Sequence, residues 1–283
     1  MPLRERADVL FRTVYAGPIR AAALRSGLDT TIESTYERLR TGIEWLDYRL
    51  APNPYPLAVG PATVELRLHN RIEYNRAATL VGEREVVADL LAALEPDDVF
   101  WDVGGNIGTH TCLAASMLPA GMVVSFEPHP DNATVLATNV NHNGFDHVSI
   151  HHVALGAVEG HETLTITGKG SGYGTHSLVG SDGVGTIEVP VKRGDDLIAD
   201  GLPAPTVLKI DVQGFERDVL AGLTEALLAP TCRVVLVEVH PPRVPVAEIE
   251  ATLGDAGFET TAFSKPGTGV FRDAVDFVWA EKS

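Results

Sequence analysis

Several residues that can do chemistry stand directly after apolar runs, at the points where parallel strands would end. A glycine-rich loop at 102–108 follows the run VFW, and Glu127 follows MVVSF. Asp211 and Glu216 lie just beyond VLKI, and His240 follows VVLVEV. Ligands of open α/β sheets bind at the carboxyl ends of the strands. These residues therefore predict one ligand site built from four strand ends.

The loop at 102–108 (DVGGNIG) indicates a small ligand bound at the start of a helix. Glycines let a ligand approach the backbone, and a helix N-terminus presents free N–H groups. A dinucleotide-binding loop follows G-x-G-x-x-G, and neither Gly104 nor Gly105 begins such a pattern. The pattern present, D-x-G-x-N-x-G, suits a ligand without a pyrophosphate, although taken alone it can also be a simple tight turn.

Glu127 indicates that the ligand contains a ribose. It lies 23 residues after Gly104, and an acid about 20 residues past such a loop can hydrogen-bond ribose hydroxyls. Taken alone, Glu127 can equally be a solvated acid at a helix start. Together with the glycine loop, it predicts a ligand that joins adenosine to an amino-acid-like tail.

Asp211, Glu216 and His240 are the candidates for acid–base chemistry. Two carboxylates five positions apart at one strand end can flank a single pocket. Glu216 can also serve as a favourable negative charge in the first turn of a helix. His240 is a plausible base because the pKa of a free imidazole lies near neutrality. A solvated loop histidine is the alternative for that position.

No metal site is expected. His147, His151 and His152 lie close together in the sequence, but adjacent residues of a strand point to opposite faces of the sheet. Cys112 and Cys232 are 120 residues apart, with no cysteine or histidine spacing typical of a zinc site. The cysteine pattern also argues against a disulfide scaffold.

The elements that position these residues alternate between strand and helix from residue 62 onward. This alternation predicts a parallel sheet covered by helices on both faces. The final two strands have no helix between them, so we expect them to pair antiparallel. We expect strands near 62–68, 99–101, 122–126, 148–151, 206–210, 233–239, 258–263 and 275–280, and helices at 82–95, 107–118, 130–142, 214–228 and 245–256.

An inserted pair of strands interrupts the alternation. Residues 161–167 and 186–193 alternate in polarity, and the stretch between them contains seven glycines. That stretch also carries His176 and Ser177, and it can act as a lid that closes over an acceptor. A surface connection between two hairpin strands is the equal alternative.

Residues 1–60 form a predicted helical extension ahead of the main domain, which we place at 61–283. Residues 1–27 carry five arginines against two acids, and 30–50 has the pattern of a helix before a proline-rich linker at 51–56. The segment 1–27 can be a helix docked on the body of the protein. It can also be a basic amphipathic helix in peripheral contact with an anionic membrane.

Composition excludes some classes of function. The formal net charge is −16, and 45% of the residues are hydrophobic, which is typical of a globular protein. So negative a surface disfavours nucleic acid as a partner. The sequence has no signal-peptide pattern and no apolar stretch of the roughly 18 residues that a membrane span needs. We therefore expect a cytoplasmic protein.

Four segments resemble the FkbM family of class I S-adenosylmethionine-dependent methyltransferases. They are VFWDVGGNIGTHT, VVSFEPHPDNATVLATNVNHNG, VALG and LKIDVQGFERDVLAGL. KIDVQGFE, followed downstream by VEVH, is the most specific signal, and the similarity runs from about residue 62 to 240. The resemblance implies a Rossmann-like α/β fold with a seven-stranded, mostly parallel sheet and an antiparallel edge hairpin.

The resemblance also assigns roles to residues. Glu127 would bind the ribose hydroxyls, and Asp211 would lie near the reacting sulfonium and the acceptor. The family pattern differs here by Gly105 in place of alanine, which we expect only to loosen the turn, and by Gln213 in place of glutamate. The residues implied to bind the methionine part and the adenine are Asp102, Gly104, Gly105, Asn106 and Gly108, and Ala154 and Leu155, respectively.

The implied activity is methyl transfer from S-adenosyl-L-methionine, mostly to oxygen, on a sugar hydroxyl, glycolipid or other small molecule. Asp211, Glu216 and His240 would be the candidates for accepting the proton of the acceptor. The acceptor itself and the oligomeric state are left open. Two alternatives are a membrane-docked accessory protein that binds the cofactor without turnover, and an NAD-dependent enzyme.

Overall fold

The fold comes from a computed structural model that describes residues 3–15, 18–166, 170–172, 178, 184–241, 243–266 and 274–282. The helices in this part of the chain are α1 Leu3–Tyr15, α2 Pro18–Ser26, α3 Asp29–Leu50, α4 Arg71–Thr79, α5 Arg84–Ala92, α6 Thr109–Ala115, α7 Pro130–Asn143, α8 Gly194–Ala199, α9 Glu216–Ala221, α10 Thr224–Leu228 and α11 Val246–Asp255. The strands are β1 Tyr55–Val59, β2 Ala62–Leu66, β3 Val99–Val103, β4 Met122–Phe126, β5 Val148–His151, β6 Ala154–Leu155, β7 Gly160–Ile166, β8 Gly185–Lys192, β9 Val207–Ile210, β10 Val234–Val239, β11 Glu259–Pro266 and β12 Ala274–Glu281.

A seven-stranded sheet forms the centre of the protein, in the order β11-β12-β10-β9-β3-β4-β5. The five strands from β10 to β5 in that order run parallel. Strand β12 pairs antiparallel with both β10 and β11. This arrangement confirms the predicted fold class, including the antiparallel hairpin at one edge. Because β4 and β9 lie on opposite sides of β3, the chain order reverses there, and such a point is where open α/β sheets bind ligands.

The sheet is buried on both faces, which explains why its strands read as apolar runs. Successive strand residues point to opposite faces. Phe100 belongs to an apolar cluster with Leu90 of α5 and Leu113 of α6. Trp101, one residue later, belongs to a second cluster with Leu220 of α9 on the other face. The strand ends are thereby held rigidly between two packed layers of helices.

A second sheet of three strands, β6-β8-β7, confirms the predicted inserted pair. Strands β7 and β8 are antiparallel, and the short β6 pairs parallel with β8. Most of the glycine-rich stretch that joins β7 to β8 lies outside the described residues, and this includes His176 and Ser177. The lid interpretation therefore stays a prediction.

The N-terminal region is helical as predicted, but it ends in an unpredicted strand. Strand β1 pairs antiparallel with β2 in a hairpin that crosses the expected boundary at residue 60. Its first residues, Tyr55 and Pro56, lie in the proline-rich segment, which was interpreted as a linker because proline disfavours regular structure. The division into 1–60 and 61–283 itself stays a prediction.

Helix α3 buries charged side chains and exposes several large apolar ones. Its polar residues Arg40 and Glu44 are buried, whereas Leu39, Leu46 and Leu50 are exposed. The buried arginine pairs with Asp8 of α1 at 3.0 Å.

No helix in the described part of the chain is long and apolar enough to cross a membrane. Membrane contact through residues 1–27 stays a prediction.

Three helical features differ from the sequence prediction. Helices α4 and α8 were not expected, and the helix expected at 214–228 is divided into α9 and α10 at Gly222. A Cβ atom on Gly222 would overlap the carbonyl oxygen of Gly156. The close approach of these two backbones interrupts the helix, and apolar periodicity alone carries no signal for it.

Candidate active site

The loop between β3 and α6 is held tightly against the two neighbouring strands. The backbone N–H groups of Gly104 and Gly105 both donate to the carbonyl of Phe126 at 3.0 Å. Gly104 has a φ of +86°, and a Cβ atom there would overlap the carbonyl oxygen of Asp211. Only glycine fits such a position. The loop therefore lies where β3, β4 and β9 end, as the sequence predicted.

Gly105 has a packing role that the sequence did not reveal. A Cβ atom at Gly105 would overlap the side-chain oxygen of Ser125 and crowd Leu136. The expectation that Gly105 only loosens the turn is therefore wrong. The Ser125 side chain occupies the place that the methyl group of an alanine at position 105 would need. The Ser125 hydroxyl in turn lies 3.0 Å from the Thr111 hydroxyl oxygen, which can accept from it because the Thr111 proton goes to Asp102.

Glu127 is fixed by backbone donors at the end of β4. Its Oε2 accepts from the N–H of Asn106 at 2.8 Å, and its Oε1 accepts from the N–H of His129 at 2.8 Å. Burial raises the pKa of Glu127 to about 7, against the hydrogen bonds from His129 and Asn106, which lower it. The Asn132 side chain is a further hydrogen-bond partner, and a carboxylate with three donors still keeps a lone pair for a ligand.

Glu127 opens into a cavity at the ends of β3, β4 and β9. The cavity is lined by Arg76, Gly104, Asn106, Glu127, Pro128, Asn132, Leu164, Asp211, Val212 and Gln213. An apolar pocket that contains Ala154 and Leu155 adjoins it and shares Gly104, Pro128, Leu164 and Val212 with it. The residues predicted near ribose and adenine therefore line one continuous groove.

Asp102 lies behind the loop, outside the residues that line these pockets. Its Oδ1 accepts from Lys209 at 3.0 Å, and its Oδ2 accepts from the Thr111 hydroxyl at 2.6 Å. Burial would raise the pKa of Asp102, but the charge of Lys209 outweighs it and holds the pKa below its ordinary value. Lys209 also donates to the carbonyl of Gly104 at 3.1 Å. Asp102 thus supports the loop through Lys209 and Thr111.

The sequence analysis missed Lys209, although a signal was present. It is the only charged residue in the run VLKI, and a lysine is almost never fully buried unless it is paired. The lone lysine of a buried strand could therefore have been matched with Asp102, the acid at the end of the neighbouring strand.

Asp211, Glu216 and His240 come together at the ends of β9 and β10. Glu216 is fully buried, and its Oε1 accepts from the N–H of Gly214 at 2.8 Å and lies 2.7 Å from His240 Nδ1. The other ring nitrogen of His240 lies 3.9 Å from Asp211 Oδ1 and 3.4 Å from Glu238 Oε1. Glu216 therefore holds the imidazole so that Nε2 faces two carboxylates.

The charges of this group follow from its burial. Burial lowers the pKa of His240, but the hydrogen bond to Glu216 and the nearby carboxylate of Glu238 outweigh it and raise the pKa to about 10. Burial would raise the pKa of Asp211, yet Lys209 and His240 hold it below its ordinary value. With no further cation bound, His240 is thus an imidazolium at neutral pH. The catalytic roles of Asp211, Glu216 and His240 stay predictions, and Glu216 has no exposed surface.

Three more charged residues at this end of the cavity were not predicted. Arg76 of α4 lies 3.6 Å from Asp211 Oδ2. Glu83, next to α5, has a pKa raised to about 9, first by burial and then by the charges of Glu238 and Asp211. Burial and Asp211 also raise the pKa of Glu238. Arg76 in α4 and Glu83 just before α5 are far from Asp211 in sequence, so no motif pointed to them.

Comparison with known protein families identifies the family of this chain. The family model described as "Methyltransferase FkbM domain" matches residues 102–260, more than half of the chain. The chain belongs to the FkbM methyltransferase family. The cofactor of this FkbM-type protein is S-adenosyl-L-methionine. The residues present fit that cofactor, because a buried carboxylate with free lone pairs stands between a glycine-lined cradle and an apolar pocket.

Two curated relatives have names that state a substrate. Hexuronic acid methyltransferase AglP of Haloferax volcanii is 36% identical over 166 residues, which cover 58% of this chain and 65% of the relative. The 31-O-demethyl-FK506 methyltransferase FkbM of Streptomyces tacrolimicus is 31% identical over 61% of this chain and 77% of its own length. The chain therefore spans just under two thirds of the AglP relative.

Solved structures of methyltransferases are also similar. One is magnesium protoporphyrin IX methyltransferase from Synechocystis PCC 6803 with bound SAM, with 14% identity and a TM-score of 0.45 over 75% of this chain and 83% of that chain. Another is the O-methyltransferase TomG from Streptomyces achromogenes, with 16% identity and a TM-score of 0.44 over 76% of this chain and 91% of that one.

The contact of Gly105 with Ser125 predicts a specific loss of stability. Gly105→Ala should destabilise the fold by about 1–3 kcal/mol, because the added methyl group meets a filled space. Adding Ser125→Ala should recover part of that loss, measured by urea unfolding. Gly254→Ala is the matched control, since nothing lies within 4 Å of its position in α11. Gly254→Ala should stabilise the protein. Equal losses of stability in Gly105→Ala and Gly254→Ala would contradict the packing role of Gly105.

The buried pair of Lys209 and Asp102 predicts a larger loss. Lys209→Met should destabilise the fold by about 3–5 kcal/mol, because Asp102 would keep an uncompensated buried charge. Lys192→Met removes a lysine whose pair with Glu159 is exposed, and it should change the stability little because exposed ion pairs contribute little. Denaturant unfolding of both variants measures the difference. A similar cost for the two would show that Lys209 does not hold the loop.

Proposed function

We propose that this FkbM-family protein transfers a methyl group from S-adenosyl-L-methionine to an oxygen atom of a sugar, with a hexuronic acid as the first candidate. One observation carries the proposal: the groove that suits the cofactor leads directly to a cluster of charged residues around Asp211. The name of the AglP relative, a hexuronic acid methyltransferase, supports the choice of acceptor.

The cofactor side of the groove combines three kinds of contact. Glu127 offers carboxylate oxygens to hydroxyl groups, and the pocket around Ala154 and Leu155 offers apolar surface to a flat ring. The cradle at Gly104 lets a ligand approach the backbone closely. The methionine part would lie against this loop, with Asn106 and Gly108 as further contacts and Asp102 supporting the loop from behind.

S-adenosyl-L-methionine supplies a methyl group on a positively charged sulfur, which keeps the electron pair of the broken bond. The acceptor oxygen supplies the electron pair of the new bond and loses a proton if it is a hydroxyl. Asp211 lines the cavity with a carboxylate, so it can orient that hydroxyl and accept its proton. Holding acceptor and methyl group in contact is itself a large part of such catalysis.

Arg76 gives the acceptor end a cation that suits an acidic sugar. Its guanidinium lines the cavity and stands 3.6 Å from Asp211 Oδ2. A guanidinium matches the geometry of a carboxylate with two parallel hydrogen bonds. The carboxylate of a hexuronic acid would therefore bind Arg76 while an oxygen of the same sugar faces Asp211.

The earlier alternatives differ in what they predict. Family membership gives no support to an NAD-dependent enzyme. An accessory protein without turnover would bind the cofactor and release no methylated product. The cytoplasmic location, a small-molecule or glycan acceptor rather than nucleic acid, and membrane contact through residues 1–27 belong to the proposal.

Binding of S-adenosylhomocysteine tests the role of Glu127. Glu127→Gln should weaken binding by about 10–100-fold, the worth of a hydrogen bond to a charged group, as measured by isothermal titration. The affinity of the wild type for S-adenosylhomocysteine should fall as the pH drops through about 7. The reason is that the Glu127 carboxylate, which would accept hydrogen bonds from the ligand, becomes protonated. The variant should lack this pH dependence. Glu188→Gln, an exposed change on β8, is the control, and unchanged binding in Glu127→Gln would contradict the assignment.

Methyl transfer with two acceptors tests the acceptor class. Wild type should transfer labelled methyl groups to a hexuronic acid in preference to the neutral hexose of the same configuration. Arg76→Gln should raise KM for the acid and leave KM for the neutral sugar nearly unchanged. Asp211→Asn should lower kcat by about 100-fold or more while keeping affinity for S-adenosylhomocysteine. Equal use of both sugars by wild type would contradict the carboxylate contact, and no labelled product would support the accessory protein.

A further inference from the structure

Three side chains at the acceptor end converge with atoms that metal ions bind. One ligand atom each from Asp211, Glu238 and His240 lies within 4.8 Å of the others. Asp211 follows β9, and Glu238 and His240 stand at the end of β10 on two rigid neighbouring strands. A set of two carboxylates and one imidazole is a common type of divalent metal site.

The histidine is oriented as a metal ligand would be. His240 Nδ1 lies 2.7 Å from Glu216 Oε1, and Glu216 is held by the N–H of Gly214. Histidine ligands usually donate their second ring N–H to a carboxylate, which fixes the ring and leaves the other nitrogen free for the metal. Here that other nitrogen, Nε2, faces Asp211 and Glu238.

The spacing suits a cation better than direct hydrogen bonds. Nε2 lies 3.4 Å from Glu238 Oε1 and 3.9 Å from Asp211 Oδ1. Both distances exceed the normal N–H···O range of about 2.7–3.2 Å. Small divalent cations bind each ligand at about 2.0–2.2 Å, so neighbouring ligand atoms stand roughly 3.0–3.5 Å apart. The ligand atoms of His240, Glu238 and Asp211 would therefore have to move only a little to bind an ion between them.

A fourth carboxylate gives an independent indication of a missing cation. Glu83 is only 9% exposed and lines a pocket together with Glu238. No hydrogen-bond partner for its side chain occurs within the described parts of the chain. Asp211, Glu238 and Glu83 thus bring three carboxyl groups together, with Arg76 at 3.6 Å from Asp211 and Lys209 paired with Asp102.

We propose that Asp211, Glu238 and His240 bind a divalent metal ion, with Glu83 beside it and Glu216 as the positioning residue behind His240. Oxygen-rich sets with one imidazole suit Mn²⁺ or Mg²⁺, and Zn²⁺ is the stronger competitor in general. The expectation from the sequence that no metal is bound considered only His147, His151, His152 and the cysteines, and the proposed site lies elsewhere, at the ends of β9 and β10.

The ion would also have a chemical role, and that part rests on the proposed function. A bound divalent cation lowers the pKa of a coordinated hydroxyl and fixes its position. The acceptor hydroxyl would coordinate the ion beside Asp211, and its proton would pass more easily to the Asp211 carboxylate oxygen that the ion leaves free. His240, as a ligand, would then be neutral.

Manganese binding to the full-length, chelator-treated protein tests the site without any cofactor. Electron paramagnetic resonance of added MnCl₂ should show one bound ion per chain, displaced by excess MgCl₂ or ZnCl₂. Glu238→Gln should weaken binding at least tenfold, and Glu216→Gln by about 10–100-fold, the usual effect of losing the partner of a histidine ligand. Glu188→Gln should bind as wild type does.

Titration of S-adenosylhomocysteine on the same samples separates failure of the metal site from failure of the proposed function. Retained binding of that ligand by Glu238→Gln shows that the groove is intact, and His240→Asn provides a second ligand variant if Glu238→Gln does not fold. No bound Mn²⁺ at about 1 mM, where a binding free energy of only −4 kcal/mol would suffice, would overturn the site. Undiminished binding in the folded ligand variants would overturn it as well.

Discussion

The buried ammonium of Lys209 is the interaction on which the site depends. It joins β9 to β3 through Asp102 and reaches the carbonyl of Gly104 in the loop that follows. A buried charge persists only with close partners, so the lysine forces the two strand ends and the loop into one arrangement. The overlap that any side chain at Gly104 would have with Asp211 then leaves the loop backbone facing the groove.

Electrostatics divides the site into two halves with different tasks. Glu127, fixed by two backbone N–H groups, stands in the half that would hold the cofactor, and its pKa near neutrality follows from burial. The other half gathers Arg76, Asp211, Glu238 and His240. Asp211, Glu238 and His240 lie at the ends of β9 and β10, so the parallel pairing of these strands brings the three side chains together. They can then contact a methyl acceptor, and also a cation under the metal-site proposal.

The sequence predicted the parts of the structure that depend on local patterns. Apolar runs and helical periodicity located the seven-stranded sheet and most helices, and glycine spacing located the loop at 102–108. The pairing of Asp102 with Lys209 was missed because it joins residues 107 positions apart. Glu83 and Arg76 were missed for the same reason. The role of Gly105 was misjudged because its constraint comes from Ser125, which is close in space but not in sequence. Strand β1 was not predicted because it begins in a proline-rich segment.

The most direct test of the whole account is the position of a transferred methyl group. The protein, S-adenosyl-L-methionine with a ¹³C-labelled methyl group and a glycan that ends in a hexuronic acid would be incubated and examined by NMR. The account predicts one new ¹³C signal from a methyl group bonded to an oxygen of the acidic sugar. A signal on nitrogen or carbon, or an unlabelled glycan in the presence of protein that binds S-adenosylhomocysteine, would contradict it.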